Sequence, residues 1–280
     1  MVSYDWHKPI PPACYPRLIL ENKQPAWGVL KTICYDPCTR DRYFVKHYRK
    51  EVEYRARRED LGLTLCGSYG ASTPGHLLIY DKCIPVLIQR LIPFTKTVGD
   101  IYREHPDKDS FLPDEKKRAD LLSALSTKQV TEVLVCWIMD FLIFNWDPHP
   151  DNYLLDQLGG TLVGVDKGLT GSFIGHPHLL LDSPTVDGDL VHYVARVSKP
   201  VNNVLGHIYE PVFTNMYRRK YIPHRETINS IMRNVEQVGG YYDSQIRSVL
   251  DRSGLEAFTS RRNKLSEAIT KLFNILGLEI

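Results

Sequence analysis

The sequence predicts an α+β chain in two unequal lobes, a small antiparallel β-rich lobe with one helix followed by a larger, mainly helical lobe. Three observations predict it. Short segments rich in β-branched and aromatic residues crowd the first third of the chain and end at Pro93. A helical apolar period takes over at Val130 and returns twice before the C-terminus. Two short apolar runs after Asn152 are split by Gly159-Gly160, the composition of a hairpin.

Taken in order, residues 1–16 form an N-terminal extension that contains Asp5, His7, Lys8 and four prolines, so no apolar signal core can be drawn there. Residues 17–92 make the small lobe. Strands are expected over 17–20, 29–34 and 43–48, separated by Pro25, Gly28, Asp36 and Pro37. Residues 51–61 lose the strand alternation and read as a helix with Val52, Ala56 and Leu63 near one face, stopped by Gly62. Two further strands, 77–80 and 86–91, complete the lobe.

Residues 93–280 make the helical lobe. Its first part, 96–126, is polar, with Asp107-Lys108-Asp109 and Lys116-Lys117-Arg118, and reads as short helices or a surface insertion. Val130, Val133, Leu134, Trp137, Ile138, Phe141 and Leu142 then recur at i, i+3, i+4 and i+7, the mark of a buried helix. This helix leads into a loop, 145–152. Residues 169–189, rich in Gly, Pro, His and Ser, read as another loop. Ile228, Ile231, Met232, Val235 and Val238 share one helical face, and Leu265, Ala268, Ile269, Leu272, Phe273 and Leu276 share a second. Ser253 with Glu256 has the spacing of a capping box at the start of the last helix. There is no internal repeat.

With 280 residues and 43% hydrophobic content the chain can bury a substantial core. Thirty-five Lys and Arg against 33 Asp and Glu give a net charge of +2, too small to imply a nucleic-acid partner. The six cysteines include no Cys-x-x-Cys pair and read as reduced, mostly structural thiols, Cys66 and Cys136 among apolar neighbours. The longest apolar stretch, 130–144, contains Glu132 and Asp140 and falls short of the roughly 20 residues of a membrane span. The expectation is a cytoplasmic protein without a transmembrane segment, export by a signal-peptide-independent route remaining open.

The chemistry is concentrated in Asp147-Pro148-His149-Pro150-Asp151-Asn152 and, beyond the hairpin, Asp166-Lys167-Gly168. Transfer of a γ-phosphoryl group needs one carboxylate to orient the attacking hydroxyl and two further oxygen-bearing side chains to hold magnesium over the phosphates. Asp147, Asn152 and Asp166 supply these in order, and the hairpin would return Asp166 to the end where Asn152 lies. A phosphate site also needs a cation and an anion to steady it. Lys46 lies in a strand whose alternation sets it apart from Val45 and His47. Glu51, Glu53 and Glu59 on the next helix are its candidate partners; Glu53 is favoured by its place near the helix start, while Glu59 lies closer to the apolar stripe.

This order of strand Lys, helix Glu, apolar helix, Asp-x-His-x-x-Asn, hairpin and Asp-x-Gly, over residues 17–168, resembles the protein-kinase-like superfamily. His149 two positions after Asp147 is similar to the atypical branches, HipA-like, phosphatidylinositol 3/4-kinase-like and Fam20-type secretory-pathway kinases. Asp166-Lys167-Gly168-Leu169 departs from Asp-Phe-Gly. The resemblance implies a two-lobed protein-kinase-like fold using ATP and Mg2+, with Asp147 catalytic, Asn152 and Asp166 on the metal, and Lys46 on the phosphates beside Glu53. It also implies that Gln89 and Leu91 lead into a hinge whose backbone meets the adenine edge, and that His149 shapes the loop that Pro148 and Pro150 stiffen. Where typical kinases carry a glycine-rich loop, Glu21-Asn22-Lys23-Gln24-Pro25-Ala26-Trp27-Gly28 has one glycine, and Lys23 is a candidate substitute.

The implied activity is phosphoryl transfer to a hydroxyl, first of all Ser or Thr of a protein substrate. Alternatives on the same fold are a phosphoinositide or small-molecule acceptor, nucleotidyl transfer, and a pseudokinase that binds partners without turnover. The basic clusters Arg55-Arg57-Arg58, Arg218-Arg219-Lys220 and Arg261-Arg262 read as solvated faces, or as sites for a phosphorylated ligand or acidic lipid head group. A zinc or manganese hydrolase built from Asp147, His149, Asp151, His176 and His178 is the competing metal reading. It gives no role to Lys46, the hairpin or Asp166.

Overall fold

The computed structural model describes residues 5–26, 29–103, 126–143, 145, 150–157, 160–168, 170 and 223–275. The small lobe is a five-stranded antiparallel sheet in the order β1-β2-β3-β5-β4. Its strands are β1 (Ile19–Ala26), β2 (Val29–Tyr35), β3 (Arg42–Tyr48), β4 (His76–Asp81) and β5 (Ile84–Arg90). Five strands are present as expected, but the first is displaced: residues Pro12–Arg17 form a 3-10 helix, and β1 runs on through Pro25, which pairs with Leu30, to Ala26. Helix α1 (Glu53–Ser68) connects β3 to β4.

Both faces of the sheet are covered. On one, Tyr48 and Leu87 pack with Ala56 and Leu63 of α1. On the other, Cys34, Tyr43, Val45, Val86 and Ile88 pack with Ile10 and Cys14 of the N-terminal segment. That segment is therefore part of the small lobe's packing. It crosses Gly75 so closely that a Cβ there would lie 1.9 Å from the Lys8 carbonyl oxygen.

Gly62 does not end α1. Its missing side chain makes room instead, since a Cβ would fall 2.5 Å from Thr170 Oγ1 and 2.7 Å from Lys167 Cβ. The helix stops six residues later at Ser68, and just beyond it Gly70 takes φ +93°. The amide of Ala71 then bonds the Cys66 carbonyl and that of Gly70 bonds the Gly67 carbonyl, closing the last turn. With Leu61 before them, the added residues Leu65, Cys66 and Tyr69 reach the core of the large lobe, so α1 is packed between the lobes.

In the large lobe a second sheet, β6-β7-β8, is built from β6 (Thr95–Thr97), β7 (Tyr153–Asp156) and β8 (Leu162–Gly164). The hairpin β7–β8 was expected; β6 falls where the sequence suggested a polar insertion. A short helix α2 (Val98–Arg103) follows, begun by a reciprocal cap in which the Asp100 amide donates to Thr97 Oγ1 and the Thr97 amide donates to Asp100. The rest of the polar stretch, with Lys116-Lys117-Arg118, lies outside the described residues.

Helix α3 (Thr127–Ile143) is the core element, with 13 of its 17 residues buried. Around it pack α4 (Arg225–Val238), α5 (Asp243–Asn263) and α6 (Leu265–Ile275), through Ile228, Ile231, Val235, Phe258, Ile269 and Phe273. The Ser253 capping box is corrected. Asp251, at φ 65°, breaks α5, and its carboxylate accepts from the Gly254 amide and the Ser253 hydroxyl; Asp251 caps the turn and Ser253 is one of its donors. The last helix restarts separately at Leu265. Among the described residues no helix is long and apolar enough to cross a membrane.

All six cysteines are free thiols; Cys14, Cys34, Cys66 and Cys136 are buried, Cys38 and Cys83 exposed. Burial pushes the Cys66 thiol up to about 12 and raises those of Cys14, Cys34 and Cys136.

Candidate functional site

The site lies where α1, β3 and the end of the β7–β8 hairpin meet. Lys46 is buried, and its ammonium donates to Glu59 Oε1 at 2.7 Å. Glu59 also accepts from Gln89 Nε2 at 2.8 Å and from the Tyr48 hydroxyl. Three donors thus fix one carboxylate. Glu53, favoured from the sequence, is corrected: it accepts from Tyr80 at the lobe's exposed edge. Six residues separate the two glutamates, so at 100° per residue they stand about 120° apart round the helix, and Glu59 is the one grouped with Ala56 and Leu63.

Burial opposes the charge on Lys46, but Glu59 and then Asp166 outweigh it and raise its pKa above the ordinary value. Burial raises that of Tyr48, and the Glu59 carboxylate raises it further. The phenol remains a donor.

The hairpin brings Asn152 and Asp166 to one end. Tyr153 pairs with Gly164, Leu154 with Val163 and Leu155 with Leu162, and the Val165 amide donates to the Asn152 carbonyl at 2.8 Å. Asp156 and Gly160, the latter at φ 61°, close the far turn. Asp166 itself takes φ 56°. Its Oδ1 lies 3.3 Å from Lys46 Nζ and its Oδ2 3.5 Å from Lys31 Nζ. Burial would raise the Asp166 carboxyl, yet the ammoniums of Lys46 and Lys31 hold it below the usual carboxylate range.

Under Asp166 lies a second buried charge pair. Lys167 Nζ donates to Asp140 Oδ1 at 2.6 Å, both side chains being almost fully buried. Asp140 also accepts from the Tyr153 hydroxyl at 2.5 Å and from Asn145 Nδ2 at 3.1 Å. Burial disfavours the Lys167 ammonium, but Asp140 more than offsets this and raises its pKa. Asn145 also bridges to Thr170, so Asp140 ties helix α3, the start of the 145–152 loop and the Asp-x-Gly segment together. Asp147 and His149, with Trp146 and Pro148, lie outside the described residues.

β5, with Gln89 in it and Leu91 just beyond it, runs as expected into the connection to β6 of the large lobe. The Gln89 side chain is committed to Glu59, and the Leu91 amide donates to the Arg42 carbonyl within the sheet. Gln89 therefore positions the Lys46 partner. Of the five residues of the hydrolase set only Asp151 is described, and it accepts from Thr97 Oγ1; the other four lie outside the described residues. Among the described residues no group of three or more His, Cys, Asp or Glu is arranged to hold a metal ion.

The basic clusters are not solvated faces throughout. Arg58 and Arg261 are buried, Arg57 donates to the Ser248 carbonyl, and Arg262 donates to Gly239 and Asp243. Residues 218–220, His176-Pro177-His178 and the rest of the 171–222 stretch lie outside the described residues. Lys31 and Asp140 were missed by the sequence reading. Each could have been signalled: Lys31 by the β2–β3 register, Asp140 as a charge inside an apolar helical stripe.

No protein-family model matches the chain, and no curated protein matches it. Among solved structures it is similar to the Helicobacter pylori proinflammatory kinase CtkA, with a TM-score of 0.55 at 11% sequence identity, covering 92% of this chain and 96% of that chain. At that identity the likeness is one of fold. The chain has a two-lobed, kinase-like fold.

Proposed function

We propose that this protein is an ATP- and magnesium-dependent kinase of an atypical protein-kinase-like branch that transfers the γ-phosphoryl group to a hydroxyl, with Ser or Thr of a protein as acceptor. The observation that carries this reading is the convergence of Lys46, Glu59 and Asp166, with Asn152 hydrogen-bonded one residue before Asp166. Two elements from the small lobe and one from the large lobe meet at a single point of alternating charge.

The residues present fit the implied metal. Asp166 offers an ionised carboxylate already turned toward cations, and Asn152 an amide oxygen, the hard donors magnesium takes. When bound, the metal neutralises charge on the phosphates and orients them. Lys46, steadied by Glu59, holds a phosphate oxygen. Asp147, two residues beyond the Asn145 anchor, accepts the hydrogen bond of the acceptor hydroxyl and orients it for attack.

Among the described residues, the basic clusters at 55–58 and 261–262 favour a protein acceptor over a phosphoinositide. Four of the five described arginines in them are buried or engaged with the chain itself, so they offer no open patch for an acidic head group. The test is transfer of γ-labelled phosphate to the protein itself and to a panel of protein, lipid and small-molecule acceptors, for wild type, Asp166→Asn and Asp147→Ala. Magnesium-dependent label on protein, lost in both variants, is expected. No transfer by wild type, or undiminished transfer by Asp166→Asn, overturns the reading; label on lipid alone overturns the choice of acceptor.

A further inference from the structure

Lys31 and Lys46 are directly paired across the β2–β3 ladder. Like charges at facing positions repel, and such a pair needs an anion between or beyond them. Both reach for one: Lys46 lies on Oδ1 of Asp166 and Lys31 on Oδ2. Lys46 has a second carboxylate in Glu59, whereas among the described residues Lys31 is ion-paired with Asp166, and about a third of the Lys31 side chain is exposed.

The neighbouring hairpin has little else to offer a polyphosphate. The β1–β2 ladder is paired out to Ala26 and Val29, so the β1 amides that face β2 are committed to the ladder, and Pro25 has no amide. Among the described residues this ladder holds no run of consecutive free amides such as a glycine-rich loop provides.

We infer that Lys31 is a second phosphate-binding lysine, which together with Lys46 grips the polyphosphate of the nucleotide and takes over the part of a glycine-rich loop. The inference rests on the kinase reading above. With Asp166 given over to a divalent cation, Lys31 and Lys46 would be left to donate to phosphate oxygens in the same space. One lysine on each of two adjacent strands makes a two-pronged clamp, with charge-assisted hydrogen bonds from both prongs. Lys23, the substitute suggested by sequence, lies on β1, the edge strand of the sheet.

The experiment is calorimetric binding of ATP, ADP and adenosine in magnesium to wild type, Lys31→Met and Lys31→Arg, with thermal melts to establish that each is folded. Lys31→Met is expected to weaken ATP and ADP by about tenfold, as loss of one charge-assisted bond implies, and to leave adenosine unchanged. Lys31→Arg is expected to recover most of the loss. Equal ATP affinity in wild type and Lys31→Met overturns the assignment while leaving the kinase reading intact. An equal loss for adenosine also overturns it, because the effect would then be on the fold of the lobe. If wild type binds none of the three, the kinase reading fails and this assignment fails with it.

Discussion

Replacing Lys167 with Met is the sharpest perturbation of the platform beneath the site. Met keeps most of the stem's volume and removes the ammonium, so Asp140 retains Tyr153 and Asn145 as donors but loses the cation 2.6 Å away. Removing one member of a buried ion pair leaves an uncompensated charge and costs about 3–5 kcal/mol. For a chain of 280 residues the unfolding entropy is on the order of 0.6 kcal/mol/K, which turns that loss into a midpoint lowered by about 5–9 °C. Asp140→Asn should cost a similar amount from the other side. The double variant should cost clearly less than the sum, because neither charge is then left alone. Differential scanning calorimetry of the four proteins closes the cycle. Additive losses, or a Lys167→Met protein as stable as wild type, would refute the claim that this pair is charged and holds the Asp-x-Gly segment on α3.

Other outcomes follow from the same contacts. Gly62→Ala gains about 1 kcal/mol of helix propensity, but its methyl meets Thr170 and Lys167 and should cost about 1–3 kcal/mol; a net gain in a urea titration would contradict the close approach. Cys38 and Cys83 should react rapidly with a thiol reagent and the other four cysteines only on unfolding, as counted by mass spectrometry; fast labelling of Cys66 would contradict its burial. The Arg17 guanidinium holds the Asp36 carboxyl below the usual range. Its folded value being depressed, the stability it contributes is complete above about pH 4 and lost as pH falls through the folded value. The advantage of wild type over Asp36→Asn should shrink on acidification, and an advantage that grows instead would contradict the pairing.

Local chemistry was the legible part of this chain. The Asn152 and Asp166 placement depends on a short hairpin with glycines at its turn, and the pairing of Tyr153 with Gly164 is what such a sequence specifies. Lys46 was legible because strand alternation separates one residue from its two neighbours. Glu59 was not, because choosing between glutamates requires the rotation of α1 about its axis, which the sheet fixes through Ala56 and Leu63. Gly62 misled because a glycine that ends a helix and one that admits a neighbouring chain look alike in sequence. The structure separates them by φ: Gly70 is in the left-handed region and Gly62 is within the helix. Strand β6 carries no apolar period, since Thr95, Lys96 and Thr97 owe their conformation to the ladder with β7. Ser126 and Gln129, by contrast, form a reciprocal cap at the start of α3 that the Ser-x-x-Gln spacing could have given. Lys31 needed the β2–β3 register, whereas Asp140 stood out as a charge in an apolar stripe but needed a partner 27 positions away to be given a role.

The measurement that bears most directly on the site is a crystal structure with magnesium and a non-hydrolysable ATP analogue. The ion is expected on Asp166 and Asn152, Lys46 on a phosphate oxygen with its Glu59 pair intact, and both lysines withdrawn from Asp166. Nucleotide bound away from this point, or Asp166 still held by Lys31 and Lys46 with no metal beside it, would contradict it.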